Sequence, residues 1–351
     1  MCSSDLYEYK NGQSVNNWDK KYIGPTRVRY GIEHSMNVLA VKTLTDYVGE
    51  TESYDYLLNF GFTTLSEDDK YSQAKALGGI TNGVYNIEMT AAYAAIANGG
   101  TYTKPILYTQ VLDHDGNVLL DNTTPETHEV LKDSTAYLLT SAMEDVVNGA
   151  GGTGGSARLS NMPVAAKTGT SQESRDLWIS AFTPYYTASV WGGYDEHKTM
   201  DRLSQSWHQK LWKNIMEHIQ DTKGLEYKDF EIPSSVEEKT VCTKTGLLAT
   251  SSCPAITEYF SKDNAPTKSC SGHYVAPSKD SKKDDSESSD ENTPATGTDS
   301  SGTTSSPDSS SAGTTTEPAA GGDSAGTTGT TTGDTSGSTT GGDTGSGSTT
   351  Q

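Results

Sequence analysis

From Ala276 to Gln351 the chain contains no Leu, Ile, Phe or Trp and is built almost wholly of Ser, Thr, Gly, Asp and Pro. Such a stretch has too little apolar surface to offset the entropy of ordering it. Any core is therefore confined to the residues before Ala276, and 276–351 is expected to be disordered. This tail carries 12 acidic and 3 basic residues, a net of −9 within the formal −20 of the 351-residue chain. Acidity is thus largely a tail property. Nucleic acid and anionic membrane surfaces, which require clustered Lys and Arg, are not expected partners. No run of 18 or more apolar residues is present and no signal peptide opens the chain, so no membrane span is expected.

The beginning, Met1-Cys2-Ser3-Ser4-Asp5-Leu6, reads as a non-native start, after which the chain enters what looks like the middle of a domain. Residues 7–232 read as the main folded unit and 233–275 as an extension. Three of the four cysteines, Cys242, Cys253 and Cys270, fall within that extension. They form no C-x-x-C pair, and His273 is the one nearby metal-type side chain. One disulfide and one free thiol in an extracellular setting are expected, rather than zinc; three pairings stay open.

Apolar positions Val38, Val41, Leu44 and Val48 recur at helical spacing, giving one helix over Val28 to Val48. A second runs from Ile87 to Ala97 and ends at Asn98-Gly99-Gly100. Strands are expected at Pro105-Leu112 and Asn117-Leu120, turning at Asp115-Gly116. Asp133 or Ser134 caps a helix through Val147. The run Gly149-Ala150-Gly151-Gly152-Thr153-Gly154-Gly155 has so little side chain that a mobile loop is expected. Strands follow at Pro163-Lys167, Leu177-Phe182 and Thr187-Tyr194. A helix from Trp207 to Ile219 is expected to bury Trp207, Leu211, Ile215 and Ile219. Helices, then adjacent strands, then a helix point to an α+β fold with an antiparallel sheet.

Two short motifs carry chemistry. Lys167-Thr168-Gly169-Thr170 ends an apolar strand, where Gly169 allows close backbone approach and the Thr168 and Thr170 hydroxyls alternate onto one face. Those hydroxyls suit a terminal carboxylate. Lys167 is expected on the same face, supplying positive potential, and the Thr170 N–H suits an oxyanion. Ser35-Met36-Asn37 lies 130 residues upstream (167 − 37) and offers a hydroxyl to relay a proton and an amide to hold a peptide backbone. The second Lys-Thr-Gly, Lys244-Thr245-Gly246, lacks a preceding apolar strand and reads as a turn. A serine nucleophile activated by a Lys one helical turn on has a single literal match, Ser72-Gln73-Ala74-Lys75. It lies in a polar segment downstream of Ser35, the reverse of the usual order, and is not taken as the nucleophile. His34 reads as a helix-surface residue, and Asp176 as a structural hydrogen-bonder.

The chain resembles the C-terminal part of a class A penicillin-binding protein. The resemblance spans about Tyr7 to His273. It rests on Glu33-His34-Ser35-Met36-Asn37, Ala76-Leu77-Gly78-Gly79, Met89-Thr90-Ala91-Ala92-Tyr93 and Ala166-Lys167-Thr168-Gly169-Thr170-Ser171. Asp176-Leu177-Trp178, Thr183-Pro184-Tyr185-Tyr186 and Trp191-Gly192-Gly193-Tyr194-Asp195 continue it. It implies the penicillin-recognising serine transpeptidase fold, with a five-stranded antiparallel sheet flanked by helices. It implies D,D-transpeptidation of D-Ala-D-Ala stem peptides through an acyl-serine, β-lactams as ligands and no cofactor. By position, Ser35, Asn37 and Lys167 take catalytic roles, and Thr168, Gly169 and Thr170 bind substrate. The family's nucleophilic Ser lies further upstream than the 34 residues before Ser35 allow, so a truncated, inactive product is expected. Its parent is expected to carry a glycosyltransferase domain and a membrane anchor and to face the wall of a Gram-positive-type bacterium. A D,D-carboxypeptidase or β-lactamase of the same fold, and a non-catalytic wall-associated peptidoglycan-binding protein, are the rival readings.

Overall fold

The computed structural model describes residues 2–3, 7–196, 198–200 and 204–273. The tail beyond Ala276 lies outside the described residues. The first part comprises β1 (Cys2–Ser3), β2 (Tyr7–Glu8), β3 (Ser14–Val15), β4 (Pro25–Thr26), α1 (Val28–Glu33), α2 (Asn37–Lys42), a π-helical turn at Thr43–Val48, α3 (Glu50–Asn59) and α4 (Glu67–Lys70). A 3-10 turn at Gln73–Leu77 leads to α5 (Asn86–Ala97), β5 (Thr101–Thr103), β6 (Gln110–Leu112), β7 (Val118–Asp121), β8 (Thr127–Glu129) and α6 (Asp133–Asn148). The central sheet follows as β9 (Ala165–Thr170), β10 (Asp176–Phe182) and β11 (Thr187–Gly193), then α7 (Trp207–Lys223) and the hairpin β12 (Val236–Cys242) and β13 (Ala255–Ser261).

The sheet is antiparallel in the order β11-β10-β9, so β9 is an edge. Three strands stand, among the described residues, where the resemblance implied five. Register is regular, with Ala165 opposite Phe182 and Lys167 opposite Ser180. Both faces are covered, which is why β10 carries buried side chains at consecutive positions rather than alternating ones. On one face Ala166, Ile179 and Ala181 pack with Trp212 and Met216 of α7. On the other, Ala165 and Phe182 pack with Met143 of α6 and Tyr93 of α5. Leu177, Ile179, Ala181, Phe182 and Trp212 are fully buried. Burial on that scale, at roughly 1.5–3 kcal/mol per large apolar side chain, anchors the strand that carries Lys167.

Several expectations are corrected. The helix over 28–48 is broken at His34–Met36, where Ser35 takes φ +52 and the C-terminus of α1 meets the N-terminus of α2. The apolar row Val38, Val41, Leu44 and Val48 lies wholly after the break, so its periodicity carried no information about residues 34–36. In α7 the buried row is His208, Trp212 and Met216, one residue on from the expected row, leaving Leu211 and Ile215 exposed. The fully buried Trp212 ring donates its N–H to the Ala188 carbonyl (3.0 Å), fixing that rotation. Only Gln110–Leu112 of the expected 105–112 strand forms, and the short pair β5 and β8 went unforeseen.

The glycine run is a fitted strap, not a mobile loop. A side chain at Gly152 would run into the Val146 and Asp145 carbonyls, and one at Gly151 into the His34 ring. The absence of side chains is what admits the loop beneath α6. Gly152→Ala is accordingly expected to cost about 1–3 kcal/mol of stability by overpacking. Gly155→Ala, where the added carbon meets nothing closer than 3.8 Å, should stay within about 0.5 kcal/mol. Urea unfolding of the two variants checks this; equal, small effects would restore the mobile loop.

Candidate active site

Ser35 occupies a left-handed conformation that non-glycine residues rarely adopt, at a cost of order 1–3 kcal/mol. It is held there by local hydrogen bonds: its N–H donates to the Ile32 carbonyl (3.2 Å), and the Met36 N–H donates to the Gly31 carbonyl (2.9 Å). A strap from the N-terminal region clamps the turn. The Trp18 indole N–H donates to the His34 carbonyl (2.8 Å), and the Val38 N–H to the Asn17 side chain (3.0 Å). Asn37 donates its side-chain amide to the Asn16 carbonyl (2.9 Å). His34 is half-buried, stacked on Tyr30 with ring centroids 3.8 Å apart, rather than a free surface residue.

Lys167 Nζ donates to Ser35 Oγ at 2.7 Å and to the Thr168 carbonyl at 2.8 Å. The two motifs, 130 residues apart in sequence (167 − 37), thus meet in space. Strand parity corrects one expectation. Lys167 shares its face with Ala165 and Gly169, while Thr168 and Thr170 fall on the opposite face. Thr168 Oγ1 instead pairs with Thr153 Oγ1 of the glycine strap (2.6 Å). Gly169 lies against Trp178, where an added side-chain carbon would come within 3.3 Å of the Trp178 Cβ.

Two clefts flank this edge. One of about 650 Å³ is lined by Ser35, Asn37, Tyr93 and Lys167–Thr170. The other, of about 800 Å³, is lined by Lys167–Thr170, Asn86, Trp178 and Trp191. On the wall of this cleft Asp176 accepts from the Trp191 indole (3.0 Å) and the Ser171 hydroxyl (3.0 Å), the hydrogen bonding expected of it.

Ser72 and Lys75 line neither cleft. Lys75 Nζ donates to the carbonyls of Asp69, Lys70 and Ser72 at 3.0–3.1 Å, and Ser72 Oγ accepts from the Ala74 N–H. All three ammonium donors are therefore engaged in tying one polar turn together. Lys244-Thr245-Gly246 is a turn, with Lys244 exposed and Gly246 at φ +72. Sequence reasoning missed Asn16, Asn17, Trp18 and Thr153; each acts across a long chain separation and carries no local signal.

Burial pushes the Lys167 amine down to about 8, and among the described residues no carboxylate pairs with it. At pH 7 it is charged by about ten to one, yet close enough to neutrality to exchange a proton. In the unfolded chain the amine binds its proton below 10.5, in the folded chain only below about 8. Between those values the unfolded state holds more protons, so stability rises with pH there and carries a constant penalty below. The unfolding free energy of the protein relative to Lys167→Met should therefore climb by about 3 kcal/mol between pH 7.5 and 10.5. Urea titrations across that range measure it, and a flat difference would mean the folded amine is not shifted.

A strained Ser hydrogen-bonded to a partly desolvated Lys on a strand edge is an arrangement able to relay a proton to a ligand in the adjoining cleft. Residues 2–217 match the penicillin binding protein transpeptidase domain, and residues 232–274 match the penicillin-binding protein 1A C-terminal domain. The chain belongs to the penicillin-binding protein transpeptidase family. It is 37% identical over 238 residues to penicillin-binding protein 1A of Clostridium acetobutylicum, covering 67% of this chain and 29% of the relative. It is 31% identical over 292 residues to penicillin-binding protein 1A/1B of Bacillus subtilis, covering 76% and 31%. The chain thus spans under a third of the length of these curated relatives. Among solved structures, penicillin-binding protein 1A from Haemophilus influenzae superposes with a TM-score of 0.64 at 22% identity, covering 77% of this chain and 45% of that one. The Mycobacterium tuberculosis protein PonA1 gives 0.58 at 23%, covering 66% and 65%. Both share the fold. Among the described residues no helix is long and apolar enough to cross a membrane.

Proposed function

We propose that this chain carries the substrate-holding side of a D,D-transpeptidase site that cross-links peptidoglycan stem peptides through an acyl-serine. The observation that carries the reading is the 2.7 Å contact between Lys167 Nζ and Ser35 Oγ at the free edge of β9. A free strand edge offers unpaired backbone groups to an extended peptide, and Gly169 keeps that edge open to close approach. A stem peptide ending in D-Ala-D-Ala lies along it, with Asn37 on its backbone and the Lys167 charge on one face of β9; Thr170 reaches its carboxylate round the free edge from the other face, and Thr168 contributes backbone groups while its hydroxyl stays with Thr153. The Thr170 N–H assists the oxyanion.

The nucleophilic serine attacks the penultimate carbonyl, and Ser35, backed by Lys167, passes a proton to the departing D-Ala amine. An amine from a neighbouring stem then displaces the serine. β-Lactams acylate the same serine; the penicillin V complex of PonA1 supports this reading through the shared fold. That serine is supplied by a segment outside these 351 residues, because Ser72 is the sole Ser-x-x-Lys serine present and Lys75 is engaged elsewhere. The match of residues 232–274 to a penicillin-binding protein 1A C-terminal domain supports a parent of that type over a carboxypeptidase or β-lactamase of the same fold.

The 351-residue chain alone should not be labelled covalently by a fluorescent penicillin. In a protein extended upstream to include the nucleophile, Lys167→Ala should slow β-lactam acylation and transpeptidation together by two orders of magnitude or more, about 3 kcal/mol. Lys244→Ala should leave both within about twofold, as for an exposed turn residue. Equal effects of the two changes would remove β9 from the active site, and labelling of the short chain that vanishes in Ser72→Ala would reinstate Ser72.

A further inference from the structure

The cysteine-bearing extension departs most from its sequence expectation. Cys242, Cys253 and Cys270 are all thiols, and with His273 their ligand atoms lie within 4.8 Å of one another. Cys270 Sγ and His273 Nε2 are 3.4 Å apart. A tetrahedral ion with Zn–S bonds of ~2.3 Å places its ligand atoms ~3.6–3.8 Å from each other, within the spread seen here.

The four come from three stretches, Cys242, Cys253, and Cys270 with His273, each pinned by backbone hydrogen bonds. Cys242 ends β12, its N–H donating to the Leu247 carbonyl (2.8 Å) while its carbonyl accepts from Gly246 (2.8 Å). The Cys253 N–H donates to Thr250, that of Cys270 to Leu248, and that of His273 to Ser252. Gly272, at φ +94 and directly against Ser252, lets the chain turn so that His273 faces Cys270. Cys242 and Cys270 are buried. A two-stranded hairpin is marginal alone, and the extension has few apolar side chains of its own to bury.

We propose that Cys242, Cys253, Cys270 and His273 form a closed, structural zinc site that fastens the C-terminal extension. Three thiols cannot all be satisfied by pairing, whereas one tetrahedral ion uses all three and the imidazole. On binding, the thiols lose their protons to solvent and the imidazole binds as the neutral ring. Thiolate-rich ligation with no position left for water selects zinc and makes the site structural rather than catalytic. The proposal is independent of the transpeptidase reading.

The test is metal content of the untagged 351-residue chain, purified without chelator. About one zinc per chain is expected, and cobalt replacing it should give intense thiolate-to-cobalt bands of tetrahedral type. Cys270→Ser and His273→Ala should lower the zinc content at least fivefold, while His273→Cys, which restores a fourth ligand, and Cys2→Ser should retain it. Chelation should lower the thermal midpoint of the unmodified chain. If the Cys2→Ser chain contains no zinc, gives no cobalt bands and shows one titratable thiol in place of three, the cysteines form a disulfide and the proposal is wrong. Because the zinc and cobalt readings use the unmodified chain, a variant that fails to fold does not blunt them.

Discussion

The partial withdrawal of the Lys167 amine from water, with no carboxylate paired to it among the described residues, is the constraint on which the candidate site depends. Desolvation raises the free energy of the ammonium, and hydrogen bonds to Ser35 and the Thr168 carbonyl only partly replace lost water. Such a group persists only where the surrounding structure leaves the strand no alternative. Here β10 carries four fully buried apolar side chains, packed on one face by α7 and on the other by α5 and α6. The register Lys167 opposite Ser180 follows, since a slip of one residue would turn Lys167 toward Trp212.

The second half of the arrangement, Ser35, is held from the other direction. Its strained backbone lies between two short helices, and α1 is bound to elements far away in sequence. Arg29 donates to Glu258 of β13 (2.8 Å), to Asp145 of α6 (3.1 Å) and to the Ser141 carbonyl (2.7 Å), while Arg27 pairs with the same Glu258. Burial alone would weaken the Arg29 charge, but the two carboxylates outweigh it and raise its affinity for the proton. The hairpin β12–β13 is thereby tied to the helix that precedes Ser35. This gives the extension a direct polar connection to α1, the helix that ends at the Ser35 turn.

Local signals in the sequence were read well where one element decides its own fate. The helix over 86–97, the helix from Asp133 and the three central strands follow from periodicity and turn residues and occur as expected to within a few residues, although Lys132, not Asp133 or Ser134, stands at the N-cap of α6, with no side-chain cap bond. Readings failed where a distant partner decides. The rotation of α7 depends on the slot beneath Trp212, and the order of the glycine run on the underside of α6. The break at Ser35 depends on a strap contributed by Asn16, Asn17 and Trp18. The face of Lys167 was legible from strand parity alone, yet only the regular register of β9 against β10 exposed the error.

By itself, then, the sequence determined where a core can exist, where the longer helices and the three central strands lie, and which Lys-Thr-Gly follows an apolar strand. Those properties arise from composition and from contacts within a few residues. The tertiary structure decided that Ser35 and Lys167 share one hydrogen bond, that Ser72 is apart from them, and that three cysteines and a histidine converge. Each of these is a distance between groups far apart in the chain. Such distances are set by which apolar faces pack together, and no local pattern encodes them.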